Sequence, residues 1–279
     1  MTKTTCFYFG AAIRSFIQIT ACSVLALTFA AAPAQAKDYS NVISAELLPG
    51  WQQKDGTQMA GLALRLAPGW KTYWRMPGDS GIPPRFSWSG SRNVADVDVM
   101  FPTPTVFRDA GQRTIGYKNA VVLPLKITPK RQGKDIRIAT QVELGICREV
   151  CLPHKITISL NLDSFTTTPD PKIAASLASL PVAGAELGVP PASCSIAPGD
   201  YGLRLTSRIK VTGKPTEAVV ESNDPNIWIS EPKTRYDGPY LVTETELMHA
   251  SGQSFAVNRS GLIFTLFGPD AAYVLKGCS

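Results

Sequence analysis

The chain has 279 residues, of which 44% are apolar and 18% charged, so a packed core is expected and disorder as the main state is excluded. Basic residues exceed acidic residues by six, but they are scattered along the chain, which argues against a nucleic-acid-binding protein. The 22 glycines and 22 prolines, with frequent Val, Ile and Thr, favour short strands separated by turns.

The N-terminal segment, residues 1–36, has the pattern of a secretory signal peptide. Lys3 and Arg14 give a positive start, residues 15–32 are mostly apolar, and Ala34-Gln35-Ala36 is a small-x-small cleavage signal. An uncleaved membrane anchor is the alternative, because the apolar stretch approaches spanning length. The pattern therefore predicts an exported protein, cleaved after Ala36, with no stable membrane insertion once the signal is removed.

The next block, residues 37–165, carries the alternation of apolar and polar residues that is typical of half-buried strands. Clusters of Gly and Pro separate these segments and predict turns. Short strands at this spacing predict an antiparallel β-sandwich of immunoglobulin type. The predicted strands are 42–48, 59–66, 72–75, 94–100, 120–127, 135–144 and 155–162.

A break follows at residues 166–192, which we interpret as a linker with a short helix at 172–180. Asp170 precedes this helix as a candidate cap, and Pro171 suits its first turn. A second strand-rich block, residues 193–279, predicts a smaller β-sandwich-like domain, so the fold class is all-β. Its predicted strands are 203–209, 217–220, 227–230, 240–247, 262–266 and 273–276.

Six cysteines are encoded, and two of them, Cys6 and Cys22, lie in the signal segment. An even number in the exported part of the chain indicates two disulfides, with three possible connectivities. Spacing favours Cys147–Cys151 and Cys194–Cys278. In the chain-entropy model, closing the long loop with a disulfide stabilises the fold by about 4–5 kcal/mol, and closing the short loop stabilises it by about 2 kcal/mol.

The short bridge is therefore a weak staple, and it is better suited to opening and closing by thiol exchange. It lies at a predicted turn between two strands, where Arg148 and His154 would favour a thiolate and Glu149 would oppose it. A plain local clip is one alternative. A Cu(I) site is another, because two soft sulfurs and the imidazole of His154 suit that ion.

The first block resembles the N-terminal periplasmic domain of the DsbD and ScsB thiol:disulfide interchange proteins. The second block is similar to the companion domain of ScsB-type proteins, through PASC at 191–194 and KGC at 276–278. The matching pieces of the first block are PGWKTYWR at 68–75, GDSGIPP at 78–84, FRDAG at 107–111, IGY at 115–117 and CREVCLP at 147–153.

This resemblance implies a periplasmic protein whose Cys147 and Cys151 exchange electrons by dithiol–disulfide chemistry, with no cofactor. It implies a cap loop near Phe107, with Asp109 as a nearby acid. Tyr73 and Trp74 match strand residues that lie near the pair, although core packing is an equally ordinary role for them. Cys194–Cys278 would be a structural disulfide.

The resemblance also implies redox partners. Family members continue into a membrane domain that the sequence up to Ser279 does not contain. We therefore expect a separate membrane electron donor of the DsbD/CcdA type, with periplasmic thioredoxin-like oxidoreductases as the other partners. Two alternatives stay open: a Cu(I)-binding module using Cys147, Cys151 and His154, and a structural interaction protein with two inert disulfides.

Overall fold

A computed structural model of the chain describes residues 41–78, 80–109, 111–163, 166–211, 213–269 and 271–279. The predicted signal peptide, its cleavage site after Ala36, and Asp79 of the GDSGIPP motif lie outside the described residues. The described residues belong to one compact unit. In this part of the chain no helix is both long enough and apolar enough to cross a bilayer.

Two antiparallel sheets pack face to face in the first part of the chain and confirm the predicted all-β fold. The first sheet has the order β1-β2-β8-β5, formed by β1 (Ile43–Gln52), β2 (Gln58–Leu66), β8 (Ala120–Pro129) and β5 (Val94–Val99). The second has the order β10-β9-β3-β7-β6, formed by β10 (Cys151–Leu162), β9 (Ile136–Cys147), β3 (Lys71–Gly78), β7 (Gln112–Lys118) and β6 (Thr105–Asp109), with β4 (Arg85–Ser87) also paired to β9.

The core between these sheets follows the alternation along their strands. Trp74, Ile115 and Ile146 are among its fully buried side chains. Strand β2 is buried on both faces, because helix α1 (Pro171–Ala178) covers its outer face through Ile173. Asp170 caps this helix, since its Oδ1 accepts from the backbone nitrogens of the second and third residues that follow, at 2.9 and 3.0 Å.

The last third of the chain forms two further sheets. One has the order β11-β19-β18-β14, formed by β11 (Val182–Ala183), β19 (Ala272–Lys276), β18 (Leu262–Phe267) and β14 (Glu217–Ser222). The other has the order β12-β13-β17-β15, formed by β12 (Ser193–Pro198), β13 (Leu203–Lys210), β17 (Tyr240–His249) and β15 (Ile227–Ile229), with β16 (Lys233–Asp237) also paired to β17. Strand β11 comes from the segment predicted as a linker, so that segment contributes to this sheet.

The two sandwiches meet through both apolar and charged contacts. The ring of Trp74 packs edge-on against Phe267, with ring centroids 5.7 Å apart. Arg75 donates two hydrogen bonds of 2.9 Å to the carboxylate of Glu221. The buried side chain of Arg113 donates to Glu217 at 2.9 Å and to a backbone carbonyl of β14 at 3.0 Å. Buried charges need such partners, so these pairs fix how the sandwiches adjoin.

Candidate functional site

The disulfide Cys147–Cys151 closes the β9–β10 hairpin. The two cysteines are directly opposed in the register, with Cα atoms 4.1 Å apart, and residues 148–150 form the loop between them. Cys147 is 5% exposed, whereas Cys151 is exposed. Since Ile146 lies in the core, alternation places Cys147 on the outer face of the sheet. One sulfur of the pair is therefore open to an approaching partner.

Tyr73 contacts the exposed sulfur. Lys71 is the register partner of Cys147 on β3, so Tyr73, two residues along, lies on the same outer face. The Tyr73 hydroxyl is 3.0 Å from Cys151 Sγ, and the residue is only 2% exposed. This burial raises the pKa of the Tyr73 phenol above its ordinary value, so the hydroxyl keeps its proton and can donate to sulfur.

Gly145 leaves room for the Tyr73 ring. A Cβ at this position would lie 2.8 Å from Cδ2 and Cε2 of Tyr73 and 2.8 Å from Cβ of Ile82. Thr72 Oγ1 also donates to the Gly145 carbonyl at 2.8 Å, which ties β3 to β9 beside the pair. Because Gly145 has no side chain, the phenol of Tyr73 can lie close to Cys151.

The β6–β7 hairpin is attached to this face through Lys71. The Lys71 ammonium donates to Asp109 Oδ2 at 2.7 Å and to Thr114 Oγ1 at 3.2 Å. This hydrogen bond and the positive charge of Lys71 hold the pKa of Asp109 below its usual value. Two ammonium groups approach the Phe107 ring, whose centroid is 5.2 Å from Lys71 Nζ and 4.5 Å from Lys118 Nζ.

The predicted cap residue Phe107 is thus a buried side chain of strand β6. It lies on the same face of the sheet as the disulfide. Phe107 pairs with Thr114 of β7, and Thr114 is on the same face of β7 as Lys118, which pairs with Lys71. Asp109 lies on this face too and makes the ion pair with Lys71. The sequence analysis had not singled out Lys71, although it alternates with Tyr73 along the same strand.

Two predicted neighbours of the disulfide lie elsewhere. Trp74 lies on the core side of β3 and is fully buried, because consecutive strand residues point to opposite faces. His154 is three residues beyond Cys151 in an unbroken register, so it lies on the opposite face of β10. The three donors of the copper alternative therefore do not converge. Nowhere among the described residues do three or more His, Cys, Asp or Glu side chains form a group suited to a metal.

The hairpin loop beside the disulfide contains both charged and apolar residues. Arg148 lies over the Trp70 ring, with its guanidinium carbon 5.7 Å from the ring centroid. Glu149 is exposed, and Val150, immediately before Cys151, is 57% exposed.

The disulfide Cys194–Cys278 lies in the second sandwich, far along the chain from the first pair. It joins residues 84 positions apart, with Cα atoms 5.7 Å apart. Both sulfur pairings are those that the spacing of the cysteines favours. Cys194 N also donates to the carbonyl of Ser279 at 2.7 Å, so backbone pairing supports this closure.

The part of the chain that contains this hairpin is similar to known proteins. Residues 44–162 match the family model of the N-terminal part of the thiol:disulfide interchange protein DsbD. No curated protein sequence gives a match. The fold is similar to that of the N-terminal periplasmic domain of ScsB from Proteus mirabilis, with 23% identity and a TM-score of 0.63 over 86% of this chain and 94% of that chain. This likeness establishes the fold, whose first part is the predicted immunoglobulin-like β-sandwich. Residues 44–162 therefore correspond to an N-terminal domain of the DsbD type.

Proposed function

We propose that the chain passes reducing equivalents through Cys147 and Cys151. The source would be a membrane electron donor, and the recipients would be periplasmic thioredoxin-like oxidoreductases. The observation that carries this proposal is the contact of 3.0 Å between the Tyr73 hydroxyl and the sulfur of the exposed Cys151. Thiol exchange needs an accessible sulfur, a group that stabilises its thiolate and a second cysteine to resolve the mixed disulfide. This hairpin of a DsbD-type domain supplies the two cysteines, and Tyr73 of the neighbouring strand β3 supplies the stabilising group.

The exchange balances as two successive sulfur displacements. The Cys151 thiolate attacks one sulfur of the partner disulfide, a mixed disulfide forms, and the partner's second sulfur leaves with the electron pair and takes a proton. The Cys147 thiolate then attacks Cys151, re-forming the intramolecular disulfide and releasing the partner's other sulfur. The partner gains two electrons and the cysteine pair loses two. The membrane donor reverses these steps when its dithiol reduces the pair.

The two cysteines have different roles in this scheme because their exposure differs. Cys151 is exposed and hydrogen-bonded to Tyr73, so it forms the bond to the partner. Cys147 is buried and lies directly opposite Cys151, which suits the attack that resolves the mixed disulfide. The order of attack follows from access, since a docked protein reaches the outer sulfur first.

The proposal includes the predicted processing and layout of the chain. The signal peptide is removed after Ala36, and the mature protein acts in the periplasm. It consists of the exchange domain at 37–165, the connecting segment at 166–192 and the second β domain at 193–279. The pattern of residues 1–36 and the family of residues 44–162 support this location.

The test is thiol trapping of the mature protein across a dithiothreitol redox series, with each cysteine pair quantified separately. We expect Cys147–Cys151 to be reduced at a less negative potential than Cys194–Cys278, because it closes a short loop and one sulfur is exposed. The Cys147→Ser, Cys151→Ser double variant should fail to reduce an oxidised thioredoxin-fold protein. Exchange retained in that variant, or equal resistance of both pairs to reductant, would overturn the proposal.

A further inference from the structure

We propose that the redox partner docks across both sandwiches. The segment flanking its reactive cysteine would lie extended in a cleft that begins beside Tyr73 and reaches Trp228 on the second sandwich. This inference rests on the proposed exchange through Cys147 and Cys151. The cleft, called here the junction cleft, has a volume of about 690 Å³. Charged, polar and apolar residues from both sandwiches line it, and the apolar ones and glycine include Pro77, Gly81, Pro83, Pro225, Trp228 and Pro232.

The junction cleft begins one tyrosine ring away from the exposed sulfur. Gly81 lines the cleft and packs directly on two neighbours. A Cβ on Gly81 would lie 2.2 Å from Cβ of Pro77 and 2.9 Å from Cδ1 of Tyr73. The hydroxyl of that same tyrosine is 3.0 Å from Cys151 Sγ. The mouth of the cleft at Gly81 and the sulfur of Cys151 therefore both contact the side chain of Tyr73.

An interface of ordinary size between this protein and its redox partner would include the cleft. A stable complex buries about 800 Å² on each partner, which corresponds to a roughly circular patch about 16 Å in radius. Exchange requires the partner's sulfur to reach Cys151, so such a patch is centred there. The mouth of the cleft at Gly81 falls inside this patch, as does Val150 in the hairpin loop. The occupant is accordingly polypeptide of the protein that carries the attacked cysteine.

The walls of the cleft are held in place before any partner binds. The two hydrogen bonds from Arg75 to Glu221 and those from Arg113 to β14 cross between the sandwiches beside the cleft. A preformed groove spares the partner the cost of assembling it, which increases affinity. The proline side chains in these walls present apolar surface to a segment of the partner.

Trp228 is the anchor that the cleft offers at its far end. It is 54% exposed, although tryptophan is a large apolar side chain that folding normally covers. Tryptophan is enriched among the few interface residues that dominate binding energy. The second sandwich thus has an exposed aromatic side chain on the wall that faces the exchange domain.

The test compares two variants with two disulfide probes. The reduced mature protein reacts with Ellman's reagent, a small disulfide, and with a thioredoxin-fold protein whose single cysteine carries thionitrobenzoate; release of thionitrobenzoate reports both rates. Trp228→Ala should slow the reaction with the protein probe about tenfold and leave the reaction with Ellman's reagent unchanged. Tyr236→Ala is the matched control, since Tyr236 is a 49% exposed aromatic residue of the same sandwich that lines neither the cleft nor the neighbouring pocket that Trp228 also lines.

The outcomes separate the inference from the function on which it rests. An unchanged rate of Trp228→Ala with the protein probe, while wild type reacts with both probes, overturns the cleft and leaves the exchange intact. Failure of wild type to react with either probe overturns the exchange itself. In a second measurement, the Cys147→Ser variant traps the probe on Cys151. Amide-exchange protection of residues 225–232 should then increase, and absence of that protection would contradict the docking site.

Discussion

The phenol of Tyr73 is the group best placed to tune Cys151, because its oxygen lies 3.0 Å from that sulfur. Burial raises the pKa of Tyr73, so the hydroxyl stays protonated throughout the physiological pH range. When the disulfide is reduced, this hydroxyl can donate to the Cys151 thiolate. Hydrogen bonds to charged groups contribute about 1.5–3 kcal/mol, so the thiolate should be favoured appreciably over the thiol.

Tyr73→Phe should therefore raise the pKa of the Cys151 thiol, because the thiolate loses a hydrogen-bond donor. At neutral pH less thiolate would be present, and alkylation of the reduced protein by iodoacetamide should slow about tenfold. The alkylation rate, measured across the titration of the thiol, gives this pKa directly. Tyr201→Phe is the control. Superimposable profiles for Tyr73→Phe and wild type would show that the hydroxyl does not stabilise the thiolate.

Gly145 allows a second test of the same contact, this time by steric displacement. The methyl group of Gly145→Ala would overlap the Tyr73 ring and Ile82, since a Cβ lies only 2.8 Å from both. We expect the variant to lose about 1–3 kcal/mol of stability, as overpacked positions do, and to slow alkylation of Cys151 as Tyr73→Phe does. In the double variant the two kinetic effects should not add, because both act through one hydroxyl. Additive effects would mean that Gly145 acts by another route.

At the scale of elements, the ion pair between Lys71 of β3 and Asp109 of β6 adds to the backbone pairing that holds the β6–β7 hairpin beside the disulfide. Lys71 is nearly buried and its ammonium is satisfied by Asp109 and Thr114. The pKa of Asp109 is lowered, so the stabilisation is present above the ordinary pKa of an aspartate. It is lost as the pH falls through the lowered value. The attachment of the hairpin is therefore intact at neutral pH and weakens only in acid.

Asp109→Asn should lower the thermal midpoint at neutral pH, because the buried ammonium of Lys71 loses its charged partner. The difference from wild type should shrink as the pH falls below the lowered pKa of Asp109, where the wild-type carboxylate is also neutral. Thermal unfolding at a series of pH values measures this. Glu149→Gln, a change in the exposed hairpin loop, is the control and should leave the midpoint unchanged at every pH. A constant difference for Asp109→Asn down to strong acid would exclude the ion pair as its cause.

The hairpin that carries the disulfide was only partly predictable. Alternation gave strands at 135–144 and 155–162, and the structure extends both up to the cysteines themselves, as β9 (Ile136–Cys147) and β10 (Cys151–Leu162). Pro153 lies within β10, which is an edge strand, where a missing backbone donor is tolerated. The β6 and β7 strands were missed, because the charged residues around their turn resemble a loop.

Positions near the disulfide were predicted less well than the strands that carry them. His154 is close to it in sequence and Trp74 adjoins Tyr73, yet each points to the opposite face of its strand. Counting the alternation from Cys151 would have found this for His154, whereas the faces of Trp74 and Lys71 depend on the register between β3 and β9, which the structure shows. Nothing in the sequence indicates that Tyr73, rather than another aromatic residue, reaches Cys151, since that contact depends on the space left by Gly145 in a neighbouring strand.

At the scale of the whole molecule, the two sandwiches share apolar packing. Val219, Phe267 and Ala272 of the second sandwich belong to the same buried cluster as Trp74 of the first. The sequence could not indicate this junction, because the residues that form it look like ordinary strand residues of two separate blocks. The contact matters for function, since it holds Trp228 at a fixed place relative to the exchange domain and makes the junction cleft a property of the whole protein.

The two disulfides should contribute very differently to the stability of this assembly. Cys194–Cys278 joins residues 84 positions apart and Cys147–Cys151 joins residues 4 apart. Loop-closure entropy then gives about 4–5 kcal/mol for the first and about 2 kcal/mol for the second. We expect Cys194→Ala with Cys278→Ala to lower the free energy of unfolding by about the larger amount and Cys147→Ala with Cys151→Ala by about the smaller, as measured by urea unfolding. If loss of the short bridge costs as much stability as loss of the long one, Cys147–Cys151 is a structural disulfide. It could not then take part in an exchange cycle, because each turnover would open a bond on which the fold depends.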